Sequence, residues 1–128
     1  MPVRSLNSSI MRWPSRNEVH AAICQWASHL SEEKPDFVAV GYFGSYARGD
    51  AGVGSGLDVV MIVTESDLPF ERRSTTWDFH SIPVPVEVCV YTIAEWQQLS
   101  KTQPRFCQTL TKETIWLKRL PVDNPNLK

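Results

Sequence analysis

Two runs, FVAVGYF at 37–43 and LDVVMIV at 57–63, are β-branched and almost continuously apolar. A strand with one face in water alternates polar and apolar residues, so unbroken runs predict strands covered on both faces. Such strands need other elements packed against them. One residue breaks the pattern: Asp58 stands near the start of the second run. Burying an unpaired carboxylate costs several kcal/mol unless a cation or hydrogen bonds compensate it.

The rest of the chain supplies the covering elements. In PSRNEVHAAICQWASHLSEEK (14–34), Ser15 and Glu18 have capping-box spacing, and Val19, Ala22, Ile23, Trp26, Ala27 and Leu30 form one helical stripe. SDLPFERRSTTWDF (66–79) reads as a short helical turn followed by a loop. VPVEVCVYT (84–92) alternates, with Val84, Val86, Val88 and Val90 on one face and Glu87, Cys89 and Tyr91 on the other. Thr92 and Glu95 make a second capping box, opening a helix. A further helix around 103–111 and a strand in TIWLKRL (114–120) follow. This order predicts an α/β (α+β) arrangement, a mixed sheet of about four or five strands with helices packed against it. The domain is expected over 15–120, between an irregular N-terminal segment at 1–14 and a flexible tail at 121–128.

Composition narrows the partners. Thirteen basic against fourteen acidic residues leave a formal charge of −1, so there is no strong nucleic-acid signal. No apolar stretch approaches the ~20 residues of a membrane span, and the N-terminus lacks a signal peptide's apolar core. Cys24, Cys89 and Cys107 are odd in number and far apart, which fits buried thiols in a reducing compartment. The expectation is a cytoplasmic protein with no membrane association. His20, His29 and His80 have no metal-ligand spacing, and tryptophans such as Trp26, Trp96 and Trp116 fit core faces.

The chemistry lies between the two apolar runs. Gly44 lets the backbone bend and lets a ligand approach the peptide. Ser45 offers an N–H and a hydroxyl to phosphate oxygens, and Arg48 adds a guanidinium fork. Asp58 and Glu87 fall on successive predicted strands. On one face of a sheet, they converge closely enough to hold a hard cation such as Mg²⁺ through oxygen ligands. The competing reading is a surface loop capped by Asp58, with Glu87 pointing to solvent.

These residues resemble the nucleotidyltransferase superfamily that includes DNA polymerase β, and most closely its small bacterial single-domain members. The family pattern is Gly-Ser, ten residues, then Asp-x-Asp, with a third acid on a later strand. Here Gly44-Ser45 is followed by residues 46–55, then Gly56-Leu57-Asp58, with Glu87 as the later acid. SYARGDA, LPFERR, VPVEVCVYTIAEW and TIWLKR extend the likeness over about residues 17–120. The resemblance implies that Gly44 and Ser45 bind the phosphates of ATP or another nucleoside triphosphate, with Arg48 a further phosphate contact. It implies Mg²⁺ on Asp58 and Glu87, which would be both metal ligands and catalytic residues. The expected reaction moves a nucleoside monophosphate to a hydroxyl acceptor. It also implies a separate helical protein partner, such as a HEPN-type toxin, or self-association.

One departure is decisive for activity. The family's first Asp is Gly56 here, and glycine supplies no ligand. Losing a carboxylate expected to bridge two metals would slow transfer by roughly 10²- to 10⁴-fold. Asp50, in the loop upstream, is a weaker candidate for a substitute. The alternative function is a catalytically degenerate nucleotide-binding or partner-binding module, an antitoxin-like subunit. Arg72 and Arg73 are further candidates to border the nucleotide cleft.

Overall fold

Both capping boxes form as their spacing predicts. In the computed structural model, which describes residues 13–33 and 37–119, the Ser15 N–H donates to Glu18 Oε1 at 2.8 Å and the Glu18 N–H to Ser15 Oγ at 3.1 Å. They open helix α1, Arg16–Glu33. Most of the irregular N-terminal segment and the whole expected tail lie outside the described residues. Trp13, at the edge of that segment, is docked: its indole N–H donates to the Tyr46 hydroxyl at 3.1 Å.

The two apolar runs are strands β1, Phe37–Phe43, and β2, Leu57–Val63. Between them Ser45–Arg48 makes a single helical turn, α2, that the sequence had read only as the start of a loop. A 3₁₀ segment, Phe70–Thr76, precedes β3, Val86–Thr92. Strand β3 starts two residues later than the alternation predicts, because Pro85 has no N–H for a ladder; its carbonyl instead accepts from Leu57 at 2.8 Å. Thr92 caps α3, Ile93–Thr102, in a complete box with Glu95. Helix α4, Pro104–Glu113, leads into β4, Ile115–Arg119.

The strands form one four-stranded sheet in the order β3-β2-β1-β4, which settles the count at four among the described residues. Pairs β1–β2 and β1–β4 are antiparallel, and β2–β3 is parallel. Both faces are covered, as the unbroken strands require. On one, Val19, Ile23, Ala27 and Leu30 of α1 pack with Val40, Tyr42, Leu57, Val59, Met61 and Val63. On the other, Trp96, Leu99 and Leu110 of α3 and α4 pack with Val60, Ile62 and Tyr91. Gly41 has a steric reason to be glycine: a Cβ there would come within 2.6 Å of Thr114 Cγ2 and 2.8 Å of the Ile115 carbonyl, where β4 crosses a bulge.

Arg73 plays a structural part. Only 7 % exposed, it donates to the Leu68 and Val90 carbonyls, each at 2.9 Å. Its two terminal nitrogens reach the Glu95 carboxylate at 2.5 and 3.1 Å. A buried guanidinium with this many acceptors joins the 3₁₀ segment to β3 and α3 and is not available to a nucleotide cleft. All three cysteines are unbonded and half-buried, and burial pushes the Cys89 thiol up to about 12. Among the described residues no helix is long and apolar enough to cross a membrane.

Candidate active site

At the end of β1 the chain turns through Gly44 at φ 78°, a left-handed conformation that disfavours any side chain. Space forbids one as well, since a Cβ on Gly44 would collide with Asp58 Oδ2. The turn is held from below. Buried Tyr46 anchors α2 to the core, and its carbonyl accepts from Arg16 Nε at 2.9 Å. The Gly44 carbonyl accepts from the N–H groups of Ala47 and Arg48, closing the single turn, and Gly49 ends it in the left-handed region.

The sheet register brings the acid to this turn. Asp58 pairs with Phe43 on one side and with Glu87 on the other. Register partners on adjacent strands share a face, here the face toward α3 and α4. Gly44 and Asp58 are therefore in contact and Glu87 stands opposite Asp58, so the resemblance's separate motifs meet at one place. Arg48 is near enough to act on the same carboxylate electrostatically. Burial pushes the Asp58 carboxyl above the ordinary carboxylate range, the Glu87 charge adds to the rise, and Arg48 opposes it.

One expectation is refined by this geometry, and one residue is added to the turn. Asp50 does not join the acids; its Oδ2 accepts from Arg48 Nε at 3.2 Å. Glu113, which sequence reasoning missed, reaches the turn from the end of α4. Its Oε1 accepts from the Gly44 N–H and from Arg48 Nη1, both at 3.3 Å. No local motif marks Glu113, because its place depends on β4 pairing beside β1.

Gly56 lies two residues before Asp58 in the same strand approach, so a side chain there would belong to the same face. Its φ is outside the left-handed region. A Cβ would lie 3.2 Å from the Pro85 carbonyl, tight but not impossible. Neither backbone nor space demands glycine at this point. What is missing is chemical, a carboxylate.

The nucleotidyltransferase domain family matches residues 23–117, which span the turn, both acids and β4 up to Leu117. The chain belongs to this nucleotidyltransferase family. No curated relative matches its sequence. Solved structures share the fold. One is a protein of Sulfolobus solfataricus assigned as a nucleotidyltransferase, at 16% identity and TM-score 0.57, covering 85% of this chain and 92% of that one. A second is a toxin–antitoxin crystallised with AMP-PNP, at 15% identity and TM-score 0.53, covering 84% and 75% of the respective chains. A third is a mutant of the toxin–antitoxin MntA–HpeT, at 13% identity and TM-score 0.52, with the same coverage.

Does this nucleotidyltransferase domain suit the metal its family uses? Two facing carboxylates, one destabilised by burial and by the other's charge, fit one divalent cation, which would relieve both penalties. They do not fit a two-metal arrangement. Among the described residues no group of three or more metal-ligating side chains converges, and Gly56 leaves the position beside Asp58 without a donor.

Proposed function

We propose that the Gly44–Ser45 turn binds the phosphates of ATP or another nucleoside triphosphate, and that Asp58 and Glu87 hold one Mg²⁺ beside it. The observation that carries this is the meeting of Gly44, Asp58 and Glu87 through strand register. Backbone N–H groups and the Ser45 hydroxyl bind phosphate oxygens, and Arg48 adds a charged fork. Bound Mg²⁺ supplies Lewis-acid polarisation of the phosphate oxygens. Glu87, exposed at the mouth, receives the proton of an acceptor hydroxyl as its oxygen bonds to the α-phosphorus and pyrophosphate departs. Transfer is slow, because no residue replaces the carboxylate absent at Gly56.

A second reading, a nucleotide-binding or partner-binding subunit without useful turnover, is favoured by that same absence. The fold likeness to toxin–antitoxin proteins supports a protein partner under either reading. A calorimetric titration with Mg-ATP tests the shared core without knowledge of the acceptor. Binding that weakens in Ser45→Ala and in Asp58→Ala supports the assignment. Absence of binding in the wild type refutes it and leaves only a partner role.

A further inference from the structure

Glu113 is a charged side chain at the turn that the proposed chemistry does not use. Its Oε1 takes hydrogen bonds from the Gly44 N–H and from Arg48 Nη1. These are donors that the reading above assigns to phosphate. An acid placed on both is unexpected in an anion site unless it stands in for the anion.

The fold explains how it gets there. Strand β4 pairs Ile115 with Tyr42, so the chain leaving α4 runs alongside the end of β1 and delivers Glu113 to Gly44. Bare Gly41 permits this close approach of Thr114 and Ile115. The contact is not anchored on a buried guanidinium, as Arg73–Glu95 is. The Glu113 side chain is 26% exposed and that of Arg48 48%, so the carboxylate can rotate outward without unpacking the sheet. Arg48 is meanwhile matched a second time by Asp50. Its charge is thus already neutralised in the free protein.

We propose that Glu113 is an internal competitor: its carboxylate fills the anion seat of the free site, and a triphosphate binds only by displacing it. This rests on the assignment of phosphates to the Gly44–Ser45 turn. A carboxylate and a phosphate oxygen are both acceptors for the same N–H groups, and two anions cannot share them without repulsion. Removing the charge at Glu113 then strengthens phosphate binding instead of weakening it. A purely structural ion pair, or one that orients Arg48 for the ligand, gives the opposite sign.

The experiment titrates the full chain calorimetrically with Mg-ATP and, separately, with inorganic tripolyphosphate. The proteins are the wild type, Glu113→Gln, Glu113→Ala, and Glu71→Gln as a charge-matched control on the exposed 3₁₀ segment; circular dichroism checks that each is folded. One charged hydrogen bond plus one exposed ion pair corresponds to about a tenfold gain in affinity. The expected result is that gain for both ligands in the two Glu113 variants and none in Glu71→Gln. Equal or weaker binding by the Glu113 variants, with a wild type that binds, overturns the competitor role and leaves the phosphate assignment standing. Absence of binding in every protein overturns both.

Discussion

Restoring the missing acid, Gly56→Asp, perturbs the site in two separable ways. The new Cβ meets the Pro85 carbonyl at 3.2 Å, a crowding cost of about 1 kcal/mol. Replacing a glycine whose φ is not positive returns a similar amount through the unfolded chain, about 0.5–1 kcal/mol. Sterics and entropy nearly cancel, so the charge decides. Residues two apart on a strand are about 7 Å apart, and at an effective dielectric of 20–80 a like-charge pair costs roughly 0.6–2.4 kcal/mol. With Asp58 half-buried and Glu87 exposed, the summed penalty is about 2 kcal/mol, which lowers Tm by roughly 8 °C in a domain of this size. Millimolar Mg²⁺ then restores the loss, because three carboxylates around one cation attract it more strongly than two. The assay is a thermal melt of wild type and variant in EDTA and in Mg²⁺, followed by transfer from labelled ATP with the acceptor present. Transfer is expected to rise by about two to four orders of magnitude. A variant whose Tm responds to Mg²⁺ no more than the wild type's would refute the convergence of positions 56 and 58, and wild-type transfer equal to the variant's would refute the impaired-site reasoning.

Three further outcomes follow from the same structure. Asp58→Asn raises Tm at neutral pH without Mg²⁺: a carboxyl whose folded pKa is raised by burial and by Glu87 loses stability as pH climbs through that folded value, so the gain shrinks below the ordinary carboxylate range, as melts across pH will show. Glu95→Ala leaves the buried Arg73 guanidinium with only carbonyl partners and removes half of a capping box; denaturant unfolding should show a loss of about 2–4 kcal/mol, discounted for the partial exposure of Glu95. Arg73 first, and then the Thr92 cap, hold the Glu95 carboxyl below its usual range against an opposing effect of burial, so its contribution is present at neutral pH and is lost as pH falls through the lowered value. Thr114→Val should stabilise the protein by about 1 kcal/mol in the same unfolding assay, because the buried Thr114 hydroxyl has no hydrogen-bond partner among the described residues.

Local chemistry made much of the fold legible. The unbroken apolar runs matched β1 and β2 because burial on both faces leaves no room for alternation, and both helix caps were readable because a capping box closes within four residues. The single turn at Ser45–Arg48 escaped notice: it is too short for periodicity and is held by Tyr46, whose partners Trp13 and Arg16 lie some thirty residues away. Arg73 reads as a candidate to border the cleft because its acceptors on β3 and α3 are not visible in the local sequence. For the site, the spacing of Gly44, Ser45, Asp58 and Glu87 carried the family pattern, and the glycine at 56 was visible as an absence. That Asp58 faces Glu87, that its carboxylate rests on Gly44, and that Glu113 occupies the turn were decided only by strand register and by the passage of β4 along β1. Residue types and short-range spacing belong to the chain itself, whereas the distance between side chains far apart in sequence exists only once the sheet has paired.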